Sequence, residues 1–424
     1  MNRSDFNPLG QFVAYACKRF HLHLLAGGLG DARPQPQIPA RAVGLSLVLG
    51  EVVQVPGFLQ LQQETALPQW QRWMGYANPI SHDTFGYVTE RMDPAKWRAA
   101  GVWINRRLKK GKAFEGCKVH GLLALSLDAN EQFCSDHRCC EDCQSREITC
   151  KNEAGQEVKK TQYYHKQVYA QLSGPQWSVI LDFEPMRQGQ EECAAALRLL
   201  RRMRGAYGPR FFDLVVVDSW YANGPFLKTV VEELGWPVIA VLKQERYEVY
   251  QETEALSRGQ KPVQRVERDG RTVEIWDLRS LRFSDAYPGS VRVVKVRERW
   301  RQRQRVGGQW EDHDKEQNWI WVVAGELDGY DGAAIRDVGH LRWKIENNAF
   351  CELTQHGHLT HCAHHHPVAA MVLLWVKLIA FTLFHAFALL HGKLFRLGRA
   401  TMSEVRKQID RSLLCGRPVS FFSG

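Results

Sequence analysis

Two apolar runs, each closed by an aspartate, constrain this chain more than any other feature. The first is Gly121-Leu122-Leu123-Ala124-Leu125-Ser126-Leu127 followed by Asp128; the second is Phe211-Phe212-Asp213-Leu214-Val215-Val216-Val217 followed by Asp218. Largely apolar runs of this kind read as β-strands. Adjacent strand ends bring two carboxylates close together, and like charges at that spacing repel unless a cation lies between them. A third acid, Glu346, lies in Arg342-Trp343-Lys344-Ile345-Glu346-Asn347-Asn348-Ala349-Phe350. This segment reads as a helix with one glutamate beside Arg342 and Lys344 and an apolar edge of Trp343, Ile345 and Phe350. Three acids on two strand ends and one helix can converge on divalent cations. Hard ions such as Mg²⁺ take oxygen ligands, use few protein carboxylates and leave positions open for water and phosphate.

The order of elements sharpens this expectation. Strands are predicted at 119–127, 165–172 and 177–183, with Ser173-Gly174-Pro175-Gln176 as the turn before the third. A helix at 191–204, a strand at 213–217, a helix at 224–234 and a strand at 237–242 follow. Three strands, helix, strand, helix, strand is the order of an RNase-H-like core of mixed α/β class, with Asp128 ending the central first strand and Asp218 just past the fourth. From 244 to 338 the pattern is β-rich again, with strands at 271–278, 290–299 and 318–323 and turns at Tyr287-Pro288-Gly289 and Val306-Gly307-Gly308. Residues 1–115 read as helical, with Ser81 and Asp93 as helix caps and the second of these helices running into the basic cluster at Arg106. The expected division is a helical N-terminal domain (1–115), which its charge and helicity make a candidate DNA-binding domain, the first part of the RNase-H-like core (116–243), a β-rich insertion (244–338), and the second part of the core with C-terminal helices (339–424). The apolar stretch 369–390 is long enough to span a bilayer, but it carries Lys377 and His385 and is read as a buried core helix, with no membrane association expected.

The blocks Leu127-Asp128-Ala129-Asn130-Glu131-Gln132-Phe133, Val217-Asp218-Ser219-Trp220-Tyr221-Ala222-Asn223-Gly224-Pro225-Phe226 and Arg342-Trp343-Lys344-Ile345-Glu346-Asn347 resemble, in this order, the three catalytic blocks of bacterial insertion-sequence DDE transposases. In the branch most similar to it a β-rich insertion separates the second aspartate from the glutamate, and here 128 residues separate Asp218 from Glu346. The branch's signature around the glutamate is tyrosine, two residues, arginine, three residues, glutamate, six residues, lysine. Arg342 and Glu346 fit it, while Gly339 and Leu353 stand at the tyrosine and lysine positions. The resemblance implies Asp128, Asp218 and Glu346 as catalytic ligands of two Mg²⁺ ions, with Mn²⁺ as a substitute. It further implies cleavage at transposon ends and strand transfer into target DNA, carried out by a homodimer on double-stranded DNA. Arg342 and Lys344 would face that DNA, and Trp300, flanked by Arg299 and Arg301, is the candidate platform for an unstacked base. The alternatives are an RNase-H-like nuclease that cuts without joining and a non-enzymatic DNA-binding descendant.

Charge and cysteine usage agree with an intracellular DNA-directed protein. The 424 residues carry 56 Lys and Arg against 46 Asp and Glu, a formal charge of +10, which favours a polyanionic partner. Arg106, Arg107, Lys109 and Lys110 form the basic cluster assigned to DNA, and Arg297 to Arg305 and Arg198 to Arg204 hold further arginines. No charged leader with an apolar core and cleavage site is visible, so a cytoplasmic, nucleoid-associated location is expected, where thiols stay reduced. Among the 11 cysteines, Cys140 and Cys143 have zinc-knuckle spacing. Cys139 or Cys150 with His165 would complete a structural Zn²⁺ site, the preferred set being Cys139, Cys140, Cys143 and His165; reduced, unligated thiols are the alternative. The histidines from His356 to His366 read as phosphate contacts or local structure. No Gly-x-x-x-x-Gly-Lys-Ser/Thr loop occurs, so nucleotide hydrolysis is not expected.

Overall fold

The computed structural model describes residues 8–152, 155–268, 270–392 and 402–414. The fold is mixed α/β and is built on one ten-stranded sheet. Its strands are β1 (Ala124–Ser135), β2 (Gln144–Lys151), β3 (Glu157–Ser173), β4 (Ser178–Pro185), β5 (Leu214–Val217), β6 (Val238–Val241), β7 (Gln264–Arg268), β8 (Arg271–Ser284), β9 (Tyr287–Val306) and β10 (Gln309–Ala324). The core order is β4-β3-β1-β5-β6. β3 is antiparallel to both β1 and β4, whereas β5 is parallel to β1 and β6 parallel to β5. This is the strand order expected of an RNase-H-like core. The Leu-Val-Val-Val of β5 and the Val-Ile-Ala-Val of β6 are buried throughout, as central parallel strands must be.

Two features of the sheet depart from the sequence expectation. β1 does not end at Asp128; it continues seven residues further to Ser135 and pairs with β3 along that extension. Its parallel pairing with β5 stops at Ser126 opposite Val216, so Asp128 lies where β1 leaves its parallel neighbour. Alternation of polar and apolar residues is weak in this stretch, which hid the extension of β1 and also β2, which pairs with the other edge of β3. In addition, β10 pairs antiparallel with β6, so the strands between 264 and 324 continue the same sheet as a meander, β10-β9-β8-β7. In β10 Trp321 lies opposite Val241, the last residue of β6, and the eleven residues back to Trp310 project beyond it. That projection, roughly 35 Å at about 3.3 Å per residue, leaves the sheet at the same end as Asp128 and Asp218.

The helices preceding β1 are α1 (Pro8–Phe20), α2 (Leu22–Gly27), α3 (Ala40–Val52), α4 (Phe58–Thr65), α5 (Pro68–Met74), α6 (His82–Thr89) and α7 (Pro94–Lys110). Ser81 and Asp93 cap α6 and α7 as expected, accepting from Thr84 N–H and Ala95 N–H. Next come α8 (Glu192–Tyr207), α9 (Gly224–Lys228), α10 (Glu248–Gly259), α11 (Gly332–Gly339), α12 (Cys351–His356), α13 (Pro367–Leu390) and α14 (Met402–Leu414). α13 is the apolar 24-residue helix; 78% of its most apolar window is buried, against α3, α7 and the sheet. Its approach to α7 requires glycine there, because a Cβ on Gly101 would come within 2.9 Å of the Trp375 ring.

Buried ion pairs tie these layers together. Asp182 on β4, fully buried, accepts from Arg98 of α7 at 3.3 Å and Arg202 of α8 at 3.0 Å. Glu352 on α12 accepts from His385 of α13 at 2.8 Å and Arg406 of α14 at 2.9 Å. Burial alone would raise the Glu352 carboxyl, but His385 and Arg406 outweigh it and hold its pKa at about 2, below the ordinary 4.5. Burial also lowers the pKa of Arg406, so the pair forms against a desolvation cost. A depressed carboxyl stabilises the fold above its unfolded pKa and loses that contribution as pH falls through the folded value. Glu352→Gln should therefore lower the unfolding free energy by roughly 3 kcal/mol near neutrality, and the gap from wild type should narrow as pH drops from about 5 towards 3. A pH-independent gap in denaturant titrations would show that the ion pairs are not what Glu352 contributes.

Candidate active site

Asp128, Asp218 and Glu346 reach the same end of the sheet from three parts of the chain. Asp128 is placed by β1. Asp218 follows β5 directly and caps the single turn Ser219–Tyr221, its Oδ1 accepting from Trp220 N–H at 2.8 Å. Ligand sites in open α/β sheets form beyond the carboxyl ends of parallel strands, and both aspartates occupy that position. Glu346 does not sit on a regular α-helix. It lies in a π-helical turn, Ile345–Phe350, in which Cys351 N–H reaches back to the Glu346 carbonyl. Wider turns of this type recur where a helix must present a side chain out of α register.

Arg342 is the cation of this site. It is only 5% exposed, and its Nη1 lies 2.5 Å from Glu346 Oε1 and 3.6 Å from Asp128 Oδ2. Arg342, which the resemblance turns towards DNA, lies on the carboxylates in this structure, one helical turn from Glu346, with its guanidinium 4.4 Å from the Trp343 ring. Even so, one guanidinium does not neutralise the site. Burial, then the hydrogen bond and charge of Glu346, push Asp128 up to about 8, with Arg342 opposing them. Burial raises Asp218 too, against Trp220 N–H and Arg342. The buried Arg342 Nε has no partner. Asp128 and Glu346 repel each other across Arg342, and Asp218 shares the attraction of the same guanidinium; oxygen ligands of this kind suit a hard divalent cation, which would hold the carboxylates ionised at neutral pH.

Gly339, at the signature's tyrosine position, is required by a neighbour: a Cβ there would lie 2.5 Å from Trp321 Nε1. Trp319 and Trp321 stack at 5.7 Å, with Trp343 edge-on to Trp319 at 6.0 Å, so an aromatic cluster fills the space. Lys344 is half-buried. Trp300 is likewise half-buried on β9, with the Arg271 guanidinium over one face of its ring at 4.3 Å. The exposed tryptophans are instead Trp220, 65% exposed beside Asp218, and Trp310 at the tip of the projecting arm.

The basic clusters are less free than their sequence implies. The arm carries Arg297, Arg299, Arg301, Arg303 and Arg305 on one face, but the register puts Glu316, Asp314 and Asp312 on that face, with Arg299 on Glu316 at 2.8 Å and Arg301 on Asp314 at 3.2 Å. On α8, Arg198 and Arg202 are spent on Glu184 and Asp182. Lys109 donates to the Phe211 carbonyl, and burial lowers its pKa. Arg106, Arg107 and Lys110 remain exposed.

A second cluster lies along the extension of β1. Cys140, Cys143, His165 and His365 have their ligand atoms within 4.8 Å of one another and could hold a metal ion. Cys139, expected as a ligand, is exposed and turns its Sγ to the Cys140 carbonyl; His365 takes its place. The sequence signal for His365 was the histidine run before α13, but nothing local links it to a cysteine pair 222 residues away.

No protein-family model matches this chain, and no curated protein matches it in sequence. Among solved structures it is similar to a piggyBac transposase synaptic complex with hairpin DNA, at a TM-score of 0.44 and 11% identity, over 97% of this chain and 80% of that one.

Because Asp128 must lose its proton to bind a cation, Mn²⁺ affinity measured by calorimetry should rise between about pH 6 and pH 8, by up to roughly tenfold per unit, and level off above. Affinity flat across that range would mean that Asp128 is not a ligand.

Proposed function

We propose that this chain is a DDE-type DNA transposase that cleaves transposon ends and joins them to target DNA, acting as a homodimer on duplex DNA. The observation that carries the reading is the meeting of Asp128 and Glu346, 218 residues apart in sequence, on one buried arginine, with Asp218 ending the adjacent strand. The three blocks around these residues are also those that resemble insertion-sequence transposases. Asp128, Asp218 and Glu346 would hold Mg²⁺ or Mn²⁺. When bound, these ions supply a Lewis acid for the phosphoryl oxygens and lower the pKa of an attacking water or 3′-hydroxyl. The protein's own contribution is positional. Arg342 keeps Asp128 and Glu346 side by side, and the Asp218 cap fixes which of its oxygens is free. The Cys140, Cys143, His165 and His365 group has soft ligands and suits Zn²⁺ instead.

Asp128→Asn, Asp218→Asn and Glu346→Gln should each keep the fold and DNA binding while lowering cleavage of a duplex carrying the element's own ends by at least about a thousandfold, since each removes a charge at constant size. Glu131→Gln, three residues along β1 and paired with Arg146 at the surface, is the matched control and should retain activity. Asp182 is unsuitable for that purpose because its replacement strands Arg98 and Arg202. Precut ends offered with target DNA separate a transposase, which joins them, from a nuclease, which does not. Full cleavage by Glu346→Gln would refute the assignment.

A further inference from the structure

The loop after β1 and the segment before α13 meet in a geometry that points to more than chance contact. Cys140 Sγ and Cys143 Sγ are 3.7 Å apart; each lies 3.2 Å from His165 Nε2, and Cys143 Sγ lies 3.5 Å from His365 Nε2. Tetrahedral ligands held at 2.0 to 2.3 Å from one zinc ion are separated by roughly 3.3 to 3.8 Å. A thiol–imidazole hydrogen bond could account for any one of these distances, but here four ligand atoms from three segments of the chain all lie within 4.8 Å of one another. Nor is this a disulfide, whose sulfurs would be about 2 Å apart. Two supports around the group hold the rings in place: Phe133 of β1 lies against His365 at 4.5 Å, and His165 meets Phe133 edge-on at 6.0 Å.

We propose that Cys140, Cys143, His165 and His365 bind one Zn²⁺ as a closed structural site that clamps the extension of β1 to the chain entering α13. All four positions are filled by protein, so this ion has no open site for substrate and is not catalytic. Its place in the fold gives it a positioning role. β1 carries Asp128 and runs on towards the two cysteines, while Glu346 lies 19 residues before His365. The clamp therefore joins the two segments that deliver Asp128 and Glu346, and it closes on the far side of the long stretch between them. The Glu352 ion pairs hold α12, the helix between Glu346 and His365, to α13 and α14.

The test uses the full chain purified without chelators. Metal analysis should find about one zinc per chain. Cys143→Ser and His365→Ala should each lose it, whereas Cys139→Ser should keep it. Exchange with Co²⁺ should give the visible bands of a tetrahedral site with thiolate charge transfer. His365→Cys should retain one metal with charge transfer about 1.5-fold stronger, as three thiolates replace two, and should restore the divalent-ion affinity of the carboxylate site that His365→Ala weakens. That rescue separates positioning from general loss of structure, since both variants alter the same residue. Zinc below about one-tenth of an equivalent in the wild-type chain, zinc lost in Cys139→Ser but kept in His365→Ala, or His365→Cys failing to bind Co²⁺ would each overturn the proposal. Metal content and the cobalt spectrum are read without DNA, so they stand or fall separately from the transposase reading.

Discussion

The guanidinium of Arg342 holds together what electrostatics would separate. Asp128 and Glu346 come within reach of each other at half-buried positions, where like charges cost more than in water. Arg342 lies against both, is nearly buried itself, and still leaves Asp128 pushed up to about 8. The site is thus balanced one charge short. The sheet, the π-helical turn and the aromatic cluster serve to hold this imbalance in place: β1 and β5 fix the aspartates, the turn at Ile345–Phe350 aims Glu346, and Trp321 crowds Gly339 so that the chain entering the Arg342 turn passes close to β10.

That strained centre requires rigid surroundings, and buried ion pairs provide them. Asp182 with Arg98 and Arg202 ties α7 and α8 to β4, and Glu352 with His385 and Arg406 ties α12 to the apolar helix α13 and to α14. Such pairs add less net stability than their geometry suggests, but removing one partner is expensive, so they fix relative position well. The proposed zinc clamp would act similarly on the other side of α12. The arm of β9 and β10 extends past the carboxylate end of the sheet and presents Trp310 and a mixed-charge face.

Much of the core was legible because its signals are local. Continuous apolar runs marked β5 and β6, the caps Ser81 and Asp93 marked α6 and α7, and Lys377 and His385 within the apolar run 369–390 argued for a core helix, whose burial among α3, α7 and the sheet is what the structure presents. What escaped depends on partners distant in sequence. The extension of β1 past Asp128 exists because β3 is long enough to pair with it. Arg342 pairs with Glu346 one turn along, as its spacing allows, but its contact with Asp128 comes from a distant strand that no spacing within 342–350 encodes. The arginines of β9 looked like a free basic face because the acidic residues opposite them arrive 13 to 17 positions later, in a register set by the hairpin at Gly307-Gly308. Cys139 and His365 exchanged places for the same reason: proximity in sequence favoured one, and the fold brought the other.

Asp128, Asp218 and Glu346 are proposed to surround a single divalent-ion centre, and iron-directed cleavage of the polypeptide tests this without any DNA substrate. Fe²⁺ bound in place of Mg²⁺, with ascorbate and peroxide, generates radicals that cut the backbone close to the ion. Fragment mapping by mass spectrometry should show cuts near Asp128, Asp218 and Glu346 together, all suppressed by excess Mg²⁺ and all weakened in Glu346→Gln. Cuts at only one of the three segments, or cuts unaffected by Mg²⁺, would contradict the account.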